Sequence, residues 1–375
     1  MLKLPGQITA AQFLARHWQK EPLFIEQAVA SLRPAITRNE LAWLATLDDV
    51  ESRLIFTDRS RSPVRYAAES GPFAPEYLAS LPQRDWTLLV HDVEKHLPAL
   101  RALFRLVPFI PDWRIDDLMV SFAAPGGGVG PHRDNYDVFL CQGIGIREWR
   151  VSSAEIDADI AASDDLALLR PFTGEEYLAR QGDVLYLPPG VAHWGTAQRA
   201  CLTYSIGMRA PQLSDLGLES PALAHGNPFY ADPDLAPDEA QPGRISERAV
   251  ARALRQLDRP PGDTAQVAAL LGRAVTETKE WLTPDGVDEP EARALCADSS
   301  HRIACPVHGM ARVAFDTCNA YVNGRSYPLP PGGTDLMASV CRERRLGLDA
   351  LHNRALAKLV IWLLVSGALE CPGNL

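Results

Sequence analysis

A chain of 375 residues with 46% hydrophobic and 22% charged residues has room for two or three domains and apolar mass for a substantial core, which excludes a fibrous or disordered protein. The formal net charge of -10 argues against a general nucleic-acid binder and suits a basic protein partner. Seven scattered cysteines, an odd number in a chain too large to depend on staples, argue against a disulfide framework and for reduced thiols.

In chain order, MLKLPGQITAAQFLARHW has no apolar run between a basic start and a cleavage site, so a cytoplasmic protein is expected. Thr9 is placed to cap a helix carrying Phe13, Leu14 and Trp18, and EPLFIEQA reads as the first strand. WTLLVHDV, DDLMVSFAAP, YDVFLCQG and IREWRVS predict short strands, the last two parted by a turn at Gly143-Ile144-Gly145. DVLYLPP and CLTYSIGMRA add two more. Short strands punctuated by glycine and proline point to a sandwich or barrel rather than βαβ units.

Past Arg209 the composition changes: residues 211–245 hold six prolines and six acids against one arginine, which predicts a linker or wrapping arm. ISERAVARALRQLD and TAQVAALLGRAVTETKEWL read as amphipathic helices, the second capped by Thr264, and as an antiparallel pair they form a candidate homodimerisation element. AYVNGRSYPLP predicts a hairpin turning at Asn323-Gly324, and helices are expected around Leu336 to Arg345 and Arg354 to Leu369, together a winged-helix-like tail. LAKLVIWLLVSGAL is too short to span a bilayer and contains a lysine, so no membrane association is expected. The expected domains are 1–210, 211–290 and 291–375.

The chemistry concentrates in GGGVGPHRDNYDVFLCQGIGIREWRV, from Gly126 to Val151. On an extended strand His132 and Asp134 project to one side. QGDVLYLPPGVAHWG adds His193 behind a Pro188-Pro189-Gly190 turn. Two histidines and a carboxylate leave three coordination positions open, which suits non-haem Fe(II) with oxygen and a chelating cosubstrate. A structural zinc site would close with four ligands, whereas catalytic Zn, Mn or Ni would accept the same donors. The plain alternative is a surface turn and a core histidine. Arg147, fifteen residues after His132, can pair bidentately with a carboxylate, or be an exposed strand arginine.

Gly126 to Asp134 and Gly182 to His193 resemble the two cupin motifs. With PPGVAHWG and YSIGMRAP, the quoted text resembles the bacterial JmjC-type ribosomal oxygenases. The likeness reaches FLARHWQKEPLFI and DDLMVSFAAPGGGVGPH, and extends more loosely over the tail. It implies a mixed α and β fold: a double-stranded β-helix (jelly-roll cupin) barrel, a helical dimerisation element and a C-terminal winged-helix domain. It also implies an Fe(II)- and 2-oxoglutarate-dependent hydroxylase that consumes molecular oxygen and modifies an arginine β-carbon of ribosomal protein L-sixteen. Carried over by motif position, His132, Asp134 and His193 are the metal ligands and Arg147 partners the distal 2-oxoglutarate carboxylate. Ala123 and Ala124 stand where relatives can carry a hydroxyl residue, a departure that removes a cosubstrate contact from that strand.

Asn135, Tyr136, Gln142, Trp149, Tyr204 and Ser205 lie near the ligand segments as pocket or packing residues. Asp116, Asp117 and Asp137 are candidate receivers of a guanidinium, with surface solvation as the alternative. Histidine hydroxylation or lysine demethylation would use the same triad. A ligand-sensing DNA regulator would read duplex through Arg342, Arg344 and Arg345, although residues 291–375 carry only nine basic against seven acidic residues. Cys296, His301, Cys305 and His308 offer a zinc site of non-standard spacing.

Overall fold

The computed structural model describes residues 2–4, 8–30, 32–33, 35–216, 229–257, 262–297, 304–347 and 354–370. They form two compact units. The first is Met1–Pro108, Ile115–Met208 and Pro233–Leu235; the second is Phe109–Arg114, Arg209–Asp232 and Ala236–Leu375.

The first unit opens with α1 (Ala10–Arg16), where Thr9 and Gln12 close a reciprocal capping box as the sequence predicts. Next come β1 (Leu23–Ile25), α2 (Arg38–Leu44), β2 (Ser52–Asp58), β3 (Arg65–Ser70), α3 (Pro75–Ser80), β4 (Trp86–Val90) and α4 (Val93–His96). The remaining strands are β5 (Ile115–Ala123), β6 (Val138–Ser152), β7 (Glu175–Arg180), β8 (Val184–Leu187) and β9 (Ala192–Met208). All pairings are antiparallel, in the order β1-β8-β6-β9-β5-β4-β2-β3, with β7 also on β6. Phe13, Phe139 and Tyr186 form an aromatic cluster with centroids 4.9 to 5.8 Å apart that seats α1 against the sheet.

β6 and β9 are the spine of this unit, paired from Val138↔Gly207 to Ser152↔Ala192. The turn expected at Gly143-Ile144-Gly145 is instead a run of bulges inside one 15-residue strand, so Arg147 lies on the same strand as Val138. Gly145 makes this possible: its φ is +74°, and a Cβ there would meet the Ala200 carbonyl oxygen at 2.1 Å. The bend lets one edge of β6 take β8 before the bulges and β7 after them. CLTYSIGMRA is the later part of the 17-residue β9 rather than a separate strand.

In the second unit the fully buried Arg114–Asp232 ion pair lies 3.1 Å apart, with the guanidinium 5.4 Å from the Tyr230 ring centroid. α5 (Glu247–Gln256) is capped by Ser246, and its Arg252 grips buried Glu239 through two bonds of 2.8 and 2.7 Å. α6 (Thr264–Thr276) is capped by Asp263, whose side chain accepts the Gln266 amide. Thr264, the expected cap, is therefore the first helical residue. α7 (Glu289–Ala297), β10 (Ala304–Pro306), β11 (Val313–Phe315), β12 (Asn319–Val322), β13 (Arg325–Pro328), α8 (Gly333–Glu343), β14 (Arg345–Gly347) and α9 (Arg354–Val365) follow. The β12–β13 hairpin turns at Asn323-Gly324, both left-handed, as read from the sequence. Leu359, Val360, Leu363 and Leu364 bury α9 against Met337, Val340 and Leu346. Among the described residues no helix is long and apolar enough to cross a membrane.

Two alternatives from the sequence meet this unit. Arg342 on α8 pairs with Glu343 at 3.4 Å, Arg344 at the end of that helix turns back to the His308 carbonyl at 3.3 Å, and Arg345 is exposed at the start of β14. His301 lies outside the described residues, and among those described Cys296, Cys305 and His308 belong to no group able to hold a metal.

Candidate metal centre

From Ala123 the chain leaves β5 and runs back along β9. The Gly126 amide donates to the Ala197 carbonyl (2.8 Å) and Ala197 donates to Gly127 (2.9 Å). The backbones approach so closely that a Cβ on Gly128 would meet the Gly195 carbonyl oxygen at 2.3 Å. The run of glycines is therefore a steric requirement. The same path brings His132 to His193, which exchange backbone hydrogen bonds of 3.0 and 2.9 Å. His132 thus sits in an isolated bridge, and the strand expected to carry it and Asp134 is a loop. Asp134 accepts the Gly190 amide through its carbonyl (2.8 Å), pinning the Pro188-Pro189-Gly190 turn that delivers His193 as the second residue of β9.

The structure brings the three expected residues together: one ligand atom from each of His132, Asp134 and His193 lies within 4.8 Å of the others. The two imidazole centroids are 4.1 Å apart, and His193 Nε2 is 3.5 Å from Asp134 Oδ2. Each ring is oriented by a carbonyl two residues earlier: His132 Nδ1 faces Gly130 O at 2.9 Å and His193 Nδ1 faces Val191 O at 3.1 Å. Both bonds require a proton on Nδ1, which leaves the Nε2 lone pairs free for a ligand. Burial, followed by the neighbouring His132, pulls the His193 pKa down to about 4, so its ring is neutral at pH 7.

Arg147, Trp149 and Val151 share one face of β6 opposite Ala197, Gly195 and His193. The Arg147 guanidinium carbon lies 4.7 Å from the Trp149 ring centroid, and that indole is 6.1 Å from the His193 ring. Arg147 is buried, with one long bond to the Gly195 carbonyl (3.4 Å), and its Nε has no hydrogen-bond partner. Burial pushes its pKa down, against a smaller opposing effect of Cys201. No carboxylate pairs with Arg147 among the described residues. A buried cation without a counter-charge is a receptor for an anion.

Residues 102–216 match the JmjC domain family. That stretch, which holds His132, Asp134, Arg147 and His193, is similar to a JmjC domain. Residues 171–271 also match the AraC-like ligand binding domain family. The chain is 41% identical over 231 residues to the ribosomal protein uL16 3-hydroxylase of Escherichia coli (strain K12), covering 60% of each. It is 34% identical over 269 residues to a probable ribosomal oxygenase of Haemophilus influenzae, covering 68% of this chain and 64% of that one. The chain thus spans less than two thirds of the length of these curated relatives. Among solved structures, Escherichia coli YcfD matches with a TM-score of 0.75 and 29% identity over 99% of both chains. YcfD in complex with cobalt and 2-oxoglutarate matches with a TM-score of 0.70, 29% identity and the same coverage.

The other residues singled out in the sequence divide by position. Gln142 bonds the Ile144 carbonyl (2.7 Å) and receives the Thr203 hydroxyl (3.2 Å), holding the β6 bulge. Tyr204 accepts the Ile36 amide, Ser205 is buried in the sheet and Asn135 is exposed. Asp137 is fully buried, taking the Tyr186 hydroxyl and the Gln19 side chain, which removes it from any substrate surface. Asp117 faces His91 Nδ1 at 3.3 Å. The Tyr136 hydroxyl is pushed up by burial and then by Asp134, Asp117 and Asp116, three acids that act on that one hydroxyl. The Gly130 and Val191 carbonyls and Gly195 were missed in the sequence, although GPH, GVAH and HWG mark them.

Proposed function

We propose that the protein is an Fe(II)- and 2-oxoglutarate-dependent oxygenase that uses molecular oxygen to hydroxylate the β-carbon of an arginine in ribosomal protein L-sixteen (uL16) of the large subunit. The observation that carries this reading is the convergence of His132, Asp134 and His193 with both imidazoles held Nε2-inward. These three residues would hold the ion and leave room at it for a bidentate 2-oxo acid and oxygen. When bound, Fe(II) would supply the activation of oxygen. The chain's own part is positional. His132 and His193 would offer their Nε2 nitrogens and Asp134 a carboxylate oxygen, and Arg147 would take the distal carboxylate that its buried guanidinium lacks. Trp149, lying between Arg147 and His193, excludes water from that path. Asp116 and Asp117 give the surface beside Tyr136 a negative charge that suits a guanidinium substrate.

The names of the relatives and the cobalt and 2-oxoglutarate found with YcfD support the same assignment. The reading extends to a cytoplasmic homodimer, with α5 and α6 as the dimerisation element and residues 291–375 as a winged-helix-like domain. Its test is mass spectrometry of recombinant uL16 after incubation with protein, Fe(II), 2-oxoglutarate and oxygen. One added oxygen on an arginine is expected, and none with His132→Ala. Oxygen on a histidine, or loss of a lysine methyl group, would instead select the other reactions open to this triad.

A further inference from the structure

Thr87 lies within β4, fully buried, yet its hydroxyl has no hydrogen-bond partner. Native proteins rarely leave such a group unpaired without a reason. Strand register supplies one. Thr87 pairs with Ala123 of β5, and Ala123 pairs with Cys201 of β9. Directly opposed residues share a face, so the three side chains form one row. Ala123, Cys201 and Ala197 pack as a small-residue patch, and Ala197 stands opposite Arg147. Arg147 in turn interacts with the Cys201 thiol.

The row therefore begins at an unpartnered hydroxyl and ends at a guanidinium with an unpartnered Nε. Along it stand Ala123, Ala197 and the Cys201 thiol. The Thr87 and Cys201 backbones lie two strand spacings apart, about 10 Å, a span that a carboxylate with a hydrogen bond on each side can fill. We propose that Thr87 is a second donor to the distal carboxylate of 2-oxoglutarate, opposite Arg147, and so selects a 2-oxo diacid over a 2-oxo monoacid. This rests on the oxygenase reading above. Thr57 is a built-in comparison: its hydroxyl is also buried and unpartnered, but it sits on β2, one strand farther from Arg147.

The test is calorimetric titration of the Mn(II)-loaded protein with 2-oxoglutarate and with 2-oxopentanoate, which has the same chain length without the distal carboxylate. Thr87→Val should raise the Kd for 2-oxoglutarate about tenfold, the loss expected for a hydrogen bond to a charged acceptor. It should leave the affinities for 2-oxopentanoate and Mn(II) unchanged, and raise the melting temperature of the metal-free protein, because an unpaired hydroxyl becomes a methyl. Thr87→Ser should retain wild-type binding, and Thr57→Val should gain stability without losing affinity. Thr87→Val that binds 2-oxoglutarate like wild type, or weakens both acids equally, overturns the assignment while the oxygenase reading stands. Wild-type protein that takes Mn(II) but not 2-oxoglutarate removes both. If Thr87→Val does not fold, Thr87→Ala must show the same selective loss.

Discussion

Gly195 has no side chain because its neighbours occupy that volume: a Cβ would lie 2.5 Å from the Trp149 ring and 2.6 Å from Arg147 Nε. The arginine can swing, but the indole cannot, since it is wedged between Arg147 and His193. Gly195→Ala should therefore destabilise the protein by roughly 1–3 kcal/mol, as overpacking does. In titrations it should weaken 2-oxoglutarate more than Mn(II), because the displaced groups border the proposed anion site and the three proposed donors stay in place. Equal loss for both would mean that the whole centre had shifted. Glu94 supports a second residue-scale prediction. Burial raises its pKa to about 7, with Lys95 opposing and Asp117 and Asp92 reinforcing, while its carboxyl accepts the Leu118 amide. The folded state thus holds a proton that the unfolded chain releases above about 4.5. Its contribution is full below pH 4.5 and lost as pH rises through about 7. Glu94→Gln keeps the acceptor and removes the titration. Urea unfolding should find the variant level with wild type near pH 4.5 and more stable at pH 8, by an amount on the order of 3 kcal/mol. A constant difference across that range would show that Glu94 does not titrate there.

The β6 bulge sets what Arg147 can reach. Gly145→Ala would place a methyl 2.1 Å from the Ala200 carbonyl oxygen at a φ of +74°. The expected result is a loss of about 2 kcal/mol or more in urea unfolding, together with weaker 2-oxoglutarate binding as Arg147 moves off its rung. Wild-type stability would mean that the bend tolerates a side chain. This element also shows where the sequence is legible and where it is not. A glycine pair between two apolar runs has the same local signature whether the chain reverses or merely kinks, and long-range pairing with β9 decides between them. Likewise, alternation along HRD suggests a strand, yet only the approach of β9 places His132 and His193 side by side. Capping was legible where one chemistry competes: Thr9 and Gln12 close a box, and Asn323-Gly324 permits a left-handed turn. It failed where Asp263 and Thr264 compete for one position, since either side chain can accept the amide three residues on. The convergence of His132, Asp134 and His193 was legible because each lies close in sequence to the turn residues that place it. Thr87 was not, since an unpaired hydroxyl can be recognised only once its neighbours are known.

At the scale of the whole molecule, every proposed donor, His132, Asp134, His193 and Arg147, belongs to the first compact unit. A ligand that binds only folded protein stabilises it by RT ln(1 + [L]/Kd), about 2.7 kcal/mol at a hundredfold excess over Kd. That stabilisation enters through the elements that carry the donors: β6, β9 and the loop between β5 and β6. The second unit has its own core, built on the Arg252–Glu239 pair and on α9 packed against α8. Adding Mn(II) and 2-oxoglutarate should therefore slow amide exchange in β6 and β9 peptides and leave α9 peptides unchanged, while chelation should reverse the effect. Asp134→Ala should abolish it, because removing the carboxylate takes away the triad's only negative charge. If α9 slows by the same factor as β9, the two units open as a single cooperative body, and the division seen in their contacts is not a division in stability.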